Sequence, residues 1–253
     1  MSNLSEKIRA ANAKGRKAVI PYVPAGFPGL DEFWAVIKEL DAAGADIIEI
    51  GVPFSDPVAD GPTVEQACLE SLERGVTLKW ILTELPKHRA GIKAGIVLMG
   101  YLNPFLQYGL EKLARDAGAA GVGGLIIPDV PFEEAQEMKK LLGTRGVDLI
   151  YLVGLNTPPE RLKMYASNAG GFVYLVSVMG ITGARSTLPR EIGDKIKEVK
   201  AAFDVPLALG FGIKTPDQLA AFGDGLDAAV IGSALIDHIR AGGTATEFIS
   251  PWV

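Results

Sequence analysis

Short apolar runs recur eight times along the chain, and each is followed by a Gly, Pro or Asp cluster and then by a helical pattern. The runs are Ala18–Val23, Asp46–Gly51, Ala94–Gly100, Gly123–Asp129, Asp148–Gly154, Gly171–Ser177, Pro206–Gly212 and Ala228–Ser233. They are rich in Ile, Val and Leu without strict polar alternation, which is typical of parallel strands buried on both faces. Eight alternating units predict an α/β fold whose parallel sheet closes into a (β/α)8 barrel and so has no edges. A doubly wound open sheet is the structural alternative.

The length of the chain suits a barrel that forms one unit. The chain has 253 residues, and such barrels typically need about 250. No Gly/Ser linker or break in composition divides the sequence, so we expect a single domain over residues 1–253. A further helical pattern, Ser5–Ala13, precedes the first strand, and we expect this helix to cover the amino-terminal face of the barrel.

Composition and charge exclude several classes of partner. The net charge is −5 and no basic run is present, which argues against binding to nucleic acid or to an anionic membrane. No apolar stretch reaches about 20 residues, and no basic-then-apolar leader precedes the first helix. The lone Cys68 excludes an internal disulfide and suits a reducing compartment, so we expect a cytoplasmic protein. The helical spacing around Cys68 favours a buried inert thiol over a nucleophile.

Three glycine-rich segments follow the later strands and indicate a phosphate site. They are Gly180–Arg185, Gly210–Lys214 and Ile231–Leu235. Glycine lets main-chain amides converge on an anion, and Ser233 is predicted to cap a helix whose positive end adds to them. The loops after strands seven and eight are the usual phosphate seat of such barrels, and amides rather than Lys or Arg would supply the positive potential. The alternative is that these glycines only make tight corners.

A carboxylate interrupts the second strand. Glu49 lies among Ile47, Ile48 and Ile50, and burying its charge is costly unless the group is paired or protonated. The loop that follows carries Asp60, which could fold back over the mouth of the barrel. Two carboxylates in different environments are a common means of acid–base catalysis near neutral pH. The alternative is that Glu49 pairs with a cation from a loop.

Absent residue types narrow the chemistry further. No Lys lies within the later strands, which argues against a Schiff-base aldolase. His88 and His238 fall in helical patterns away from strand ends, and no His/Cys cluster offers a metal site. A carbon–carbon cleavage in this chain would therefore rely on carboxylates and on an electron sink within the substrate.

The segment Asp46–Pro62, DIIEIGVPFSDPVADGP, closely resembles the signature of the tryptophan synthase α subunit family, whose members have a TIM-barrel fold. The resemblance covers essentially the whole chain, in the expected order. It continues through Tyr101–Phe105, Ile127–Glu134, Val176–Arg185, Leu209–Pro216 and Val230–Ile236.

The resemblance implies a carbon–carbon lyase of tryptophan biosynthesis that cleaves indole-3-glycerol phosphate to indole and glyceraldehyde 3-phosphate. By resemblance, Glu49 moves protons at indole C3 and the glycerol hydroxyl, and Asp60 holds the indole N–H. The family's phosphate-binding positions match Gly183, Gly212, Gly232 and Ser233. Positions of the substrate pocket match Tyr101, Tyr174, Thr182 and Phe211.

The resemblance also implies a partner. Members of the family work with a β subunit that carries pyridoxal phosphate and receives indole, typically in an α2β2 heterotetramer, so no cofactor is expected in this chain. Asp56 and Asp129 match positions on the contact side. Two other functions stay open: another phosphate-binding barrel, such as a sugar phosphate isomerase, or a non-catalytic regulatory barrel that only binds a β-like partner.

Overall fold

A computed structural model describes residues 3–176, 190–210, 212–220, 222 and 225–253. Within these residues the strands form a closed parallel barrel in sequence order, β1 to β8. The strands are β1 (Ala18–Pro24), β2 (Ile47–Gly51), β3 (Gly95–Met99), β4 (Gly124–Ile126), β5 (Asp148–Gly154), β6 (Val173–Val176), β7 (Leu207–Gly210) and β8 (Ala228–Ile231). The predicted (β/α)8 barrel is therefore confirmed, and the open-sheet alternative is wrong.

Helices surround this barrel. Those in the described residues are α1 (Asn3–Asn12), α2 (Leu30–Ala42), α3 (Pro62–Glu73), α4 (Leu78–Arg89), α5 (Leu102–Tyr108), α6 (Leu110–Ala119), α7 (Ala135–Gly143), α8 (Pro159–Ala166), α9 (Arg190–Ala202), α10 (Asp217–Ala220), α11 (Ser233–Arg240) and α12 (Ala245–Ile249), followed by a short 3-10 helix at Ser250–Trp252. No helix among them is long and apolar enough to cross a membrane.

The predicted helix before the first strand is present as α1, and it covers the amino-terminal end of the barrel. Leu4, on α1, is buried against the glycines at which β3 and β4 begin. A Cβ on Gly95 would lie 2.8 Å from Leu4 Cδ2, and one on Gly124 would lie 3.0 Å from Leu4 Cδ1. These glycines therefore make room for the leucine. The Ser5 hydroxyl donates a hydrogen bond to the Gly171 carbonyl just before β6.

Aspartates that precede two strands hold the barrel in register at the same end. The Asp46 carboxylate accepts hydrogen bonds from the Arg16 guanidinium at 2.7 Å and from the Val19 amide of β1 at 2.9 Å. The Asp227 carboxylate likewise accepts from the Leu207 amide of β7 at 2.7 Å. Main-chain amides at the amino-terminal end of the barrel thus find side-chain acceptors. These bonds lie at one end of the barrel and leave the carboxyl ends of the strands free to form a site.

Candidate active site

The carboxyl ends of the strands surround a cavity of about 520 Å³. Residues from β1, β2, β3, β6 and β8 line its interior, and the loops after β2, β7 and β8 form its rim. Barrels of this architecture carry their functional groups at the carboxyl ends of the strands. The cavity brings together two carboxylates, Glu49 and Asp60, with a glycine-rich rim at Gly212 and Gly232.

Glu49 lies inside the barrel because β2 pairs in register with its neighbours. It is aligned with Tyr22 of β1 and with Val97 of β3, so the three side chains share one face. The Glu49 side chain is 1% exposed, and its Oε2 atom has no hydrogen-bond partner among the described residues. In the described part of the chain, no Lys or Arg forms an ion pair with it. Burial and the nearby charge of Asp60 raise the pKa of Glu49 from 4.5 to about 8.

Asp60 lies in the loop between β2 and α3, and Tyr101 holds it in place. The Tyr101 hydroxyl donates a hydrogen bond to Asp60 Oδ2 at 3.1 Å and accepts one from the Ala59 amide at 2.9 Å. The ring of Tyr101 packs against Phe54, with 5.4 Å between centroids. Burial raises the pKa of Asp60 from 3.8 to about 6, while the hydrogen bond from Tyr101 opposes this rise. The fold-back of Asp60 that we expected from the sequence is present.

The two carboxyl groups are therefore suited to different roles at neutral pH. With a pKa of about 8, Glu49 holds its proton and can donate it to a substrate. With a pKa of about 6, Asp60 is mostly ionised and can accept a hydrogen bond or stabilise a developing positive charge. Carboxyl groups with separated pKa values in one cavity are a mark of acid–base catalysis.

The rim of the cavity after β7 and β8 carries the features of an anion site. Gly212 has a φ of +75°, a backbone conformation that favours glycine. At the start of α11, the amides of Leu235 and Ile236 donate to the Gly232 carbonyl. The amides of Ser233 and Ala234 precede the first intrahelical bond, and both residues line the cavity. Main-chain donors and the positive end of α11 thus face the same space.

One sequence prediction about this helix is wrong. Ser233 was expected to cap α11, but Gly232 is the cap residue and Ser233 is the first residue inside the helix. A Cβ on Gly232 would lie 3.2 Å from Cδ1 of Tyr22, so glycine is the residue that fits this position without displacing the ring. Ser233 still lines the cavity, and its hydroxyl is free of a capping role there.

The structure brings together several of the residues selected from the sequence, but not all. Tyr174 lines the cavity beside the carboxylates, whereas Tyr101 contacts Asp60 without lining it. Asp56 and Asp129 are exposed on loops at the carboxyl end, and the Asp129 carboxylate accepts the Leu102 amide at the start of α5. Gly183, Thr182 and Phe211 lie outside the described residues.

Sequence reasoning missed other residues of the cavity. Tyr22, Thr63, Met99, Lys214 and Val230 all line it. The signal for Tyr22 was its place in the first strand, but only the register with Glu49 shows which face it occupies.

In the described ranges, no group of three His, Cys, Asp or Glu side chains is arranged to hold a metal ion. Cys68 is buried in α3, and burial raises the pKa of its thiol to about 12.

Comparisons with known proteins agree on one family. The sequence model of the family described as tryptophan synthase alpha chain matches residues 8–248. The tryptophan synthase alpha chain of Solidesulfovibrio magneticus is 59% identical over 251 residues, which cover 99% of this chain and 98% of the relative. That of Maridesulfovibrio salexigens is 54% identical over 252 residues, covering 100% and 99%.

Solved structures give the same result. The tryptophan synthase alpha subunit of Legionella pneumophila superposes with a TM-score of 0.90 at 30% identity, covering 100% of this chain and 97% of the other. A chain of Mycobacterium tuberculosis tryptophan synthase superposes with a TM-score of 0.90 at 35% identity, covering 99% and 96%.

Proposed function

Because this chain belongs to the tryptophan synthase alpha chain family, a family of lyases in tryptophan biosynthesis, we propose that its cavity binds indole-3-glycerol phosphate and that Glu49 and Asp60 cleave it. The products are indole and glyceraldehyde 3-phosphate. The observation that carries this proposal is the buried carboxyl of Glu49, whose Oε2 atom has no partner among the described residues, beside Asp60 in a cavity with a glycine-rich rim. The lyase accounts for that arrangement without the two alternative functions, a sugar phosphate isomerase and a purely regulatory barrel.

Glu49 is the acid–base group of the proposed reaction. Its neutral carboxyl donates a proton to indole C3, and this converts the ring into a tautomer that can accept an electron pair. The resulting carboxylate then takes the proton of the glycerol hydroxyl next to the ring. The bond between C3 and the glycerol carbon breaks, its electrons return to the ring, and the hydroxyl becomes the aldehyde of glyceraldehyde 3-phosphate. Glu49 ends the cycle protonated, as its raised pKa requires.

Asp60 stabilises the charge that appears on the ring nitrogen. Protonation at C3 makes the indole nitrogen positive, and an ionised carboxylate that accepts its N–H stabilises this intermediate. The hydrogen bond from Tyr101 orients Asp60 and favours its ionised form. The phosphate of the substrate binds among Gly212, Gly232 and Ser233. Gly183 is assigned to the same phosphate only by its match to the family's pattern. Tyr174 lines the cavity, and Thr182 and Phe211 are assigned to the indole pocket by their match to the family's pattern.

The chain requires no cofactor of its own, because in this family pyridoxal phosphate is carried by the β subunit. A β-subunit partner follows from the family, and we propose an α2β2 assembly in the cytoplasm. The exposed Asp56 and Asp129 support a contact surface at the carboxyl end, where indole would leave the cavity.

The test is indole release from indole-3-glycerol phosphate by wild type and by Glu49→Gln, with and without a β subunit. We expect the variant to fold and to lose at least about 100-fold in kcat, the usual contribution of a positioned acid–base group. Glu73→Gln removes an exposed carboxylate of α3 and serves as the matched control, which should keep full activity. Activity of Glu49→Gln equal to that of the control would refute the proposal.

A further inference from the structure

Lys214 is a cationic side chain on the rim of the cavity. It follows Gly212 in the loop after β7, and among the described residues it is the only Lys or Arg that lines the cavity. This loop was expected to bind an anion through its amides alone, so the function proposed above leaves Lys214 without a role.

The backbone of Lys214 is held in place. Its amide donates a hydrogen bond to Gln218 Oε1 at 2.6 Å, and the Thr215 amide donates to the same oxygen at 3.3 Å. The positive φ of Gly212 makes the turn that brings this segment to the cavity. The position of Lys214 on the rim is therefore fixed by local bonds, although its side chain is exposed.

The ammonium group has no anionic partner of its own. In the described part of the chain, no carboxylate oxygen lies within ion-pair distance of Lys214. Lys195, by contrast, lies 2.9 Å from Glu198. A lysine beside main-chain donors and without a partner is suited to bind an oxyanion as a point charge.

A carboxylate in the same cavity adds to the need for this charge. Asp237 lies one helical turn after Ser233 on α11, so both side chains share one face of the helix, and both residues line the cavity. Its negative charge repels a phosphate dianion bound at the start of α11. A cation in the loop after the neighbouring strand β7 offsets that repulsion, because it carries a full positive charge that neutral amides lack.

We propose that Lys214 binds the phosphate group of the substrate and supplies the charge that makes the cavity select a phosphorylated ligand. This inference rests on the proposed function, since it assigns the phosphate to that rim. It also predicts that inorganic phosphate alone binds there, whether or not the chain cleaves indole-3-glycerol phosphate.

The test compares wild type with Lys214→Gln and with the control Lys197→Gln. Lys197 is 82% exposed on α9 and outside the cavity, so its substitution changes the net charge equally. For Lys214→Gln we expect the KM for indole-3-glycerol phosphate and the Kd for inorganic phosphate each to rise about 10-fold, with kcat within 2-fold of wild type. Lys214→Arg keeps the charge and should keep KM within about 3-fold of wild type.

Equal KM and Kd values for Lys214→Gln and Lys197→Gln would overturn the inference. Failure of wild type to release indole would instead contradict the proposed function, and the titration with inorganic phosphate would still report on Lys214. The two proposals can therefore fail separately.

Discussion

The hydroxyl of Tyr22 occupies the space that a side chain at Gly51 would need. A Cβ on Gly51 would lie 2.3 Å from the phenolic oxygen of Tyr22 and 2.7 Å from its Cζ atom. Gly51 is two residues after Glu49 on the same face of β2, so this glycine lets the tyrosine ring cross from β1 towards the acid–base group. A Cβ on Gly232 would lie 3.2 Å from Cδ1 of the same ring, so both glycines leave room for Tyr22 in the wall of the cavity.

The first prediction concerns this contact. Gly51→Ala should destabilise the protein by about 1–3 kcal/mol, because the added methyl group overpacks a rigid interior. Tyr22→Phe removes the nearest atom and should restore part of that stability when combined with Gly51→Ala. Denaturant unfolding of the two single variants and the double variant measures the coupling. Strictly additive effects would contradict the contact.

The second prediction is a bell-shaped pH dependence of kcat/KM. The rate should fall below a pH of about 6, because protonation of Asp60 removes the charge that stabilises the ring cation. It should also fall above a pH of about 8, because Glu49 loses the proton that it donates to C3. Steady-state rates of indole release from pH 5 to pH 9 check both limbs. A rate that stays level above pH 8 would argue against Glu49 as the acid.

The third prediction concerns Tyr101. Its hydrogen bond lowers the pKa of Asp60, so Tyr101→Phe should raise that pKa and move the acidic limb to higher pH. Loss of a hydrogen bond to a charged group should lower kcat/KM at pH 6 by roughly 10-fold. The basic limb, which belongs to Glu49, should stay near its wild-type position. An equal loss at every pH would indicate a structural defect instead.

The fourth prediction concerns stability. The pKa of Glu49 is raised from 4.5 to about 8, so the folded state binds the proton more tightly than the unfolded state between these values. The contribution of Glu49 to the free energy of unfolding should therefore decrease as pH rises from about 4.5 to about 8, and no further above that. Glu49→Gln lacks this loss, and at pH 7 the effect it removes is on the order of 3 kcal/mol. Urea unfolding of both proteins at pH 5 and pH 8 measures it; parallel pH dependences would disprove the burial effect.

Strand order and barrel closure follow from the sequence because each buried parallel strand is a continuous apolar run with a turn signal after it. The ends of the strands are less predictable. The run Gly123–Asp129 yields a strand of only Gly124–Ile126, because pairing with β5 stops at Ile126 and the chain then turns at Pro128. Such ends depend on the neighbouring strand, which a local pattern does not contain.

Glu49 could be predicted as a site residue because a buried charge in an apolar strand is costly unless it is paired or protonated. Asp60 could be predicted because it lies in the loop that follows this strand. The apolar residues around the carboxylates could not be predicted as site residues, since Tyr22 and Met99 are residue types found in any buried strand. Their role depends on register and on which face points inward. The cap at Gly232 is not predictable for a similar reason, since the ring of Tyr22 that crowds this position is distant in sequence.

The helix that closes the amino-terminal end has a practical consequence. Leu4 and the glycines it contacts lie at the end opposite the cavity, so the packing that resists unfolding there is separated from the chemistry by the length of the strands. Tolerance to heat could therefore be engineered at one end of this enzyme while its turnover is left alone at the other.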